Sequence, residues 1–167
     1  MAVREILSLG NPKLYEKSVE IIKEELPEIC SLADDLIDTI LDFREKHGFG
    51  MAIAAPQVGV MKRLVCAHIG TPLVFVNPVL TDKSSEMVQV WDSCMCFPDL
   101  SVKVERHNKC RIIYRDTDWK ECDLILGSEM SELLQHECDH LDGILAVIRA
   151  IDGKSFALRS EKNKSSD

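Results

Sequence analysis

Leu133-Leu134-Gln135-His136-Glu137-Cys138-Asp139-His140-Leu141 is the run that decides how this chain is read. On a helix, side chains four apart stand one turn above each other on one face. His136 and His140 have that spacing, so they can hold one metal ion between them. Glu137 lies beside them and can reach a water on that ion as a general base. The pentapeptide alone also fits a surface helix with two solvated histidines, so the rest of the chain has to decide.

Working outward, Ser128 is a fitting N-cap for this helix, and Glu129 and Glu132 suit its first turn. Gly143 suits its end, with Ile144–Ile148 beyond. Residues 27–46 predict a long amphipathic helix, because Ile29, Leu32, Leu36, Ile37, Ile40 and Phe43 recur at helical spacing. Pro27 fits near its start and Gly48 just past its end. Short β-branched runs follow at Arg63–Ala67, Leu73–Val76, Met87–Trp91, Val102–Glu105, Arg111–Arg115 and Cys122–Leu126. Turn residues such as Gly70-Thr71-Pro72 and Asp116-Thr117-Asp118 bound them. Residues 1–14 read as an irregular arm that turns at Gly10-Asn11-Pro12. The expected fold is α+β: a long N-terminal helix, then short antiparallel sheets around the HExxH helix. One domain is expected over residues 1–167, with the polar tail 160–167 disordered.

Composition narrows the function. Hydrophobic residues make up 46% of the chain, enough for a packed core. A net charge of −8 without a Lys/Arg-rich stretch argues against nucleic acid as the main partner. No apolar run approaches a bilayer span, so no membrane role is expected. The N-terminus lacks the apolar core of a signal peptide and carries Glu5 early, which reads as the mature start of a cytoplasmic protein. Seven cysteines, an odd count, form no evident disulfide framework and read as buried thiols or ligands. A catalytic metal centre usually takes a third protein ligand and keeps one open position. The downstream choice is Glu161, in the polar tail. Cys94, in the one close pair Cys94-Met95-Cys96, is the better candidate because a thiolate binds such ions strongly.

With these residues in view, the chain resembles the peptide deformylases, which carry the motifs GxGLAAxQ, EGCLS and HExDH in that order. The first stands here as Gly50-Met51-Ala52-Ile53-Ala54-Ala55-Pro56-Gln57. The second stands as Asp92-Ser93-Cys94-Met95-Cys96, and the third as His136-Glu137-Cys138-Asp139-His140. The arm Val3-Arg4-Glu5-Ile6-Leu7, with Gly10 and Leu14, is also similar, and the likeness covers roughly residues 1–150. It implies a hydrolase that removes the formyl group from the formyl-methionine of nascent peptides and releases formate. Cys94, His136 and His140 would hold the metal, and Glu137 would pass a proton from water to the leaving amine. Gln57 and the Met95 backbone N–H would stabilise the oxyanion. Gly50 would let backbone pass close to the substrate. Met51, Val90 and Leu133 would offer the substrate an apolar wall, with Ala52 and Asp92 beside it. Asp139 would support the helix rather than bind metal. The family's ion is typically Fe2+, and Zn2+, Ni2+ or Co2+ can take its place. The partner implied is an N-formylated nascent peptide. The mixed-charge residues 150–167 do not support the ribosome docking that some bacterial members make through a long basic C-terminal helix.

Four motif positions depart from the family: Ala52 for Gly, Asp92 for Glu, Ser93 for Gly and Cys96 for Ser. Ala52 adds a methyl where substrate should approach. Asp92 is one methylene shorter than Glu, with Arg106 at the place of its usual partner. Cys96 sets a spare thiol beside Cys94, which predicts oxygen sensitivity. Glu129 and Glu132 fall on the His136 face, which in the family walls an apolar pocket. Two readings stand: solvated first-turn acids, or an acidic pocket that prefers a cationic or polar group. Two other functions stand as well. One is a deformylase-like amidase with a different N-acyl substrate. The other is a non-catalytic metal-binding or redox-sensing paralogue, against which the intact Glu137 argues.

Overall fold

In the computed structural model, which describes residues 2–164, the long helix α1 spans Leu26–His47. Pro27 sits in its first turn, where its missing N–H costs nothing, and Gly48 closes it in the left-handed conformation at φ 78°. Its buried face is Ile29, Leu32, Ala33, Leu36, Ile40 and Phe43; of the predicted stripe only Ile37 is partly exposed, and Ala33 joins it. Two polar residues share that face. Asp35 accepts from the Ala2 N–H (2.7 Å) and from Arg4 Nε (2.8 Å), and Thr39 Oγ1 accepts from the Arg4 N–H (2.9 Å). They pin the N-terminal arm along α1.

Among the described residues eight strands form two antiparallel sheets. The strands are β1 Ala52–Ala54, β2 Leu64–Ile69, β3 Thr71–Thr81, β4 Met87–Ser93, β5 Leu100–His107, β6 Cys110–Arg115, β7 Glu121–Leu126 and β8 Phe156–Leu158. The five-stranded sheet runs β1-β2-β3-β6-β7, and the smaller one β4-β5-β8. All six expected strands are present, each shifted or extended by a few residues. β1 and β8 were not expected. Each has three residues, too few for alternation to register.

Helix α2, Ser128–Leu141, carries the HExxH residues and packs against β1 of one sheet and β5 of the other. Its N-cap is Gly127 rather than Ser128, which is already inside the helix and makes no capping bond. The chain enters the helix one residue early because the Gly127 carbonyl already accepts from the Ser131 N–H at 2.7 Å. Three apolar clusters fill the interior. α1 packs on β1 and β2, α2 on the five-stranded sheet, and the arm with Cys94, Cys96 and Leu145 against β5. The tail expected to fray from Ser160 instead forms a one-turn helix α3, Arg159–Lys162, anchored by Arg159 N–H to the Asp99 carbonyl at 2.7 Å. Residues 165–167 lie outside the described residues. No described helix is long and apolar enough to cross a membrane.

After α2 the chain turns at Gly143, which has φ 72°. A Cβ there would sit 2.4 Å from the Tyr15 carbonyl oxygen. Gly143→Ala therefore combines a left-handed alanine with a backbone clash, and should cost about 3 kcal/mol. In a domain of this size that lowers Tm by roughly 6–12 °C. Thermal unfolding followed by circular dichroism checks this, and a shift below about 2 °C would contradict it.

Candidate metal and catalytic site

Three segments far apart in sequence meet at α2. The turn after β1 brings Gln57, the turn after β4 brings Cys94 and Met95, and α2 brings His136, Glu137 and His140. The N-terminal arm helps to hold the first two together. Leu7 N–H donates to the Gln57 carbonyl (2.8 Å) and Leu9 N–H to the Cys96 carbonyl (2.9 Å).

His136 Nε2 and His140 Nε2 lie 3.2 Å apart, and Cys94 Sγ lies 3.4 Å from His140 Nε2. The three donors fall within 4.8 Å of one another, and all three residues are buried. The opposite nitrogen of His136, Nδ1, is 2.9 Å from Asp92 Oδ2. If Nδ1 carries the proton, as that contact dictates, Nε2 turns a lone pair toward His140 and Cys94. Two imidazole nitrogens and one thiol sulfur, all from buried residues, converge there, a donor set that fits one divalent ion.

Behind the donors runs a chain of charges of fixed geometry. Arg106, 2% exposed, donates to Asp92 Oδ2 (2.6 Å) and to Asp139 Oδ2 (2.7 Å). Arg149 grips the same Asp139 through Nε (2.8 Å) and Nη2 (2.9 Å). The shorter Asp92 thus still reaches Arg106, and Asp139 supports the helix as the resemblance implies. The bridging of His136 to Arg106 through Asp92 was not expected, and no local motif marks Arg149. Burial works against a charged His136, but the Asp92 hydrogen bond and the Glu137 charge outweigh it and raise its pKa. Burial and the neighbouring His136 push His140 well down, so it stays neutral and able to ligate. Burial pushes the Glu137 carboxyl up to about 7. Its Oε2 has no hydrogen-bond partner among the described residues. Glu137 lines the main cavity, about 760 Å³ in volume.

Gly50, Met51, Ala52, Asp92, Cys94, Met95, Leu133, His136 and Glu137 line that cavity. Val90 does not. It packs on the cluster of Cys94, Cys96 and Leu145, and Trp91, one residue on, takes the wall position instead. Gln57 lies just behind the lining, 1% exposed. Its Oε1 accepts from the Ala54 N–H (2.8 Å), which turns Nε2 toward Cys96 Sγ (3.4 Å) and Cys94 Sγ (3.7 Å). Gly50 lines the cavity, and its backbone shape and its neighbours also favour glycine. At φ 119° any L side chain is strained, and a Cβ would also crowd Met95 Cε at 2.8 Å and Phe43 Cδ1 at 3.0 Å. Glu161 stays in α3, paired with Lys164 at 2.9 Å, and takes no part. All seven cysteines are free.

A family model described as polypeptide deformylase matches residues 3–155. The peptide deformylase of Leptospira biflexa serovar Patoc is 35% identical over 175 aligned residues, covering 96% of this chain and 95% of that protein. Among solved structures, the peptide deformylase of Thermotoga maritima superposes with a TM-score of 0.83 at 25% identity, covering 91% of this chain and all of that one. The class I type b peptide deformylase of Acinetobacter baumannii bound to Met-Ala-Ser superposes with a TM-score of 0.81 at 29% identity, covering 89% of this chain and 98% of that one.

Asp92 is the hinge between His136 and Arg106, so its charge should matter to metal binding without its touching metal. Asp92→Asn should weaken Co2+ affinity about 10–100-fold while far-ultraviolet circular dichroism stays unchanged. Competition against a chelator reads the affinity, and an unaltered value would show that His136 is oriented by other contacts.

Proposed function

Because this chain belongs to the peptide deformylase family, we propose that Glu137, Gln57 and the Met95 N–H carry its hydrolysis of the N-formyl group from the formyl-methionine of nascent peptides. The observation that carries this reading is Glu137. A carboxylate 3% exposed, with an oxygen unpartnered among the described residues, faces the cavity beside the Cys94, His136 and His140 donors. Such a group is costly to bury unless it has work to do.

Cys94, His136 and His140 would hold one divalent ion, which when bound supplies Lewis acidity and makes water a nucleophile near neutral pH. We assign Fe2+ as the ion from the resemblance, and Zn2+, Ni2+ and Co2+ suit the same donors. Glu137 takes the proton from the attacking water and returns it to the leaving amine, for which a pKa near 7 is well matched. The oxyanion that forms on the formyl carbon needs donors fixed beforehand. Gln57 supplies one, because its carbonyl end is held by Ala54 and only its amide N–H groups can turn toward the site. Met95 supplies another, since its backbone N–H donates to no described residue. Buried Phe43 and Met95 pack around Gly50. Formate and a free amino terminus leave as products.

The chain is read as one deformylase-like domain acting in the cytoplasm on nascent chains. A non-catalytic, redox-sensing role is not favoured, because a pure metal binder needs neither Glu137 nor Gln57.

Formate release from formyl-Met-Ala-Ser by anaerobically purified, iron-loaded protein tests the assignment. Glu137→Gln should cut kcat by about 10²–10⁴ with metal content unchanged. Gln57→Leu should cut it by roughly 10²–10³. Full activity in Glu137→Gln would remove it as the base, and no turnover by the native metal-loaded protein would remove formyl peptides as its substrate.

A further inference from the structure

The cavity that faces Glu137 has an acidic wall on the same helix. Glu129 and Glu132 both line it, seven and four residues before His136. α2 begins at Ser128, which puts Glu129 in its first turn and Glu132 in its second. Glu129 is exposed in the first turn, and Glu132 is half-buried one turn from the metal ligand. Neither is hydrogen-bonded or ion-paired with a described residue.

Nearby cations are already engaged. Arg44 lines the cavity but donates to the Gly50 carbonyl (2.9 Å) and the His68 carbonyl (2.6 Å). Arg106, the cation that acts on Glu132, is committed to Asp92 and Asp139. Burial first, then the Asp92 and Glu129 charges, raise the Glu132 pKa. Neither acid has an ion-pair partner among the described residues, so this wall carries two unpaired carboxyl groups, while Arg44, bound only to neutral carbonyls, keeps its own charge elsewhere on the cavity lining. Two acids alone would be a solvated face. These two share a cavity with Glu137, whose buried, unpartnered Oε2 marks it as a place where a ligand sits.

Beside the acids, Leu133 and Met51 give the same cavity apolar surface. A lysine side chain is an unbranched hydrocarbon ending in an ammonium, and such stems lie along apolar surface while the head seeks charge. An unbranched apolar side chain of equal length would meet Leu133 but would strip water from Glu132 with nothing in return.

We propose that Glu129 and Glu132 form a specificity subsite that selects a cationic side chain, lysine or arginine, on the residue carrying the formyl group. The inference rests on the deformylase reading of the site and extends its substrate class beyond formyl-methionine. One turn of helix separates Glu132 from His136, so the side chain it meets belongs to the residue next to the scissile bond.

Formyl-Lys-Ala-Ser and formyl-norleucyl-Ala-Ser, both with unbranched first side chains, provide the test. In the native metal-loaded protein, kcat/KM should favour lysine by about tenfold, as expected for one charge pair at a partly buried wall. Glu132→Gln should erase most of that preference, and the double substitution Glu129→Gln with Glu132→Gln the remainder. Glu132→Leu should raise turnover of formyl-Met-Ala-Ser. The lysine preference should also shrink as salt is added. A preference that survives the double substitution, or a native preference for norleucine, overturns the proposal. Binding of both peptides to Glu137→Gln, read by calorimetry, separates the two failures. If the native protein hydrolyses neither peptide, the deformylase reading falls. A lysine preference in binding then still supports the subsite, and equal or absent binding overturns it.

Discussion

Arg106 is a full positive charge buried in the middle of the protein, and the site is arranged around it. An isolated buried cation costs several kcal/mol, and breaking an established buried pair costs about 3–5 kcal/mol. Asp92 and Asp139 answer it from β4 and α2, and Arg149 closes the far side of Asp139. These directional contacts tie α2 to the smaller sheet in one geometry. They also fix Asp92, whose Oδ2 accepts from both Arg106 and the His136 ring. The imidazole that would bind metal is thus oriented by the same charge balance that docks its helix.

The sequence already contained most of the fold and the chemistry, for identifiable reasons. α1 was legible because six apolar residues keep helical spacing between a proline and a glycine. The three donors that lie together were legible as candidates because HExxH is a local pattern and Cys94 sits in a second one. What escaped was non-local. Asp35 and Thr39 sit on the buried face of α1 and look like errors of its pattern until the arm is seen to bond to them. Arg149 has no motif of its own, and its role comes from Asp139, ten residues earlier. Val90 and Trp91 were confused because a strand in a small twisted sheet gives no sign in sequence of which neighbour faces a cavity. Ser128 was expected as the cap because its residue type favours that position, yet the backbone of Gly127 serves without a side chain.

The departures from the family pattern divide along the same line. Asp92 is shorter than Glu, yet the Arg106 contact is 2.6 Å, so the backbone of β4 and β5 has brought the two together. Ala52 is buried against the second cluster while touching the cavity, so its methyl is shared between core and site. Cys96 receives the Gln57 amide at 3.4 Å, the part an oxygen would otherwise play there. A thiol is a weaker acceptor than a hydroxyl, so Gln57 Nε2 is held less tightly and stays freer to turn toward substrate.

Helix α2 joins these elements because one periodicity serves two purposes. Residues 129, 132, 136 and 140 descend one face at intervals of three and four, so the acids and the metal ligands share a stripe. The two ends of that stripe differ electrostatically. Acids in a first turn are favoured by the N-terminal end of the helix dipole, typically by about 0.3–1 kcal/mol. Glu129 therefore sits there at no cost to folding, and Glu132, just beyond, bears only partial burial. His136 and His140, near the other end, are kept neutral or paired by burial and Asp92. Charge at Glu129 and Glu132 can thus be changed with little effect on stability, while changes at His136 or Asp139 disturb the buried network of Arg106. Substrate selection can vary at the start of this helix because the chemistry is fixed at its end.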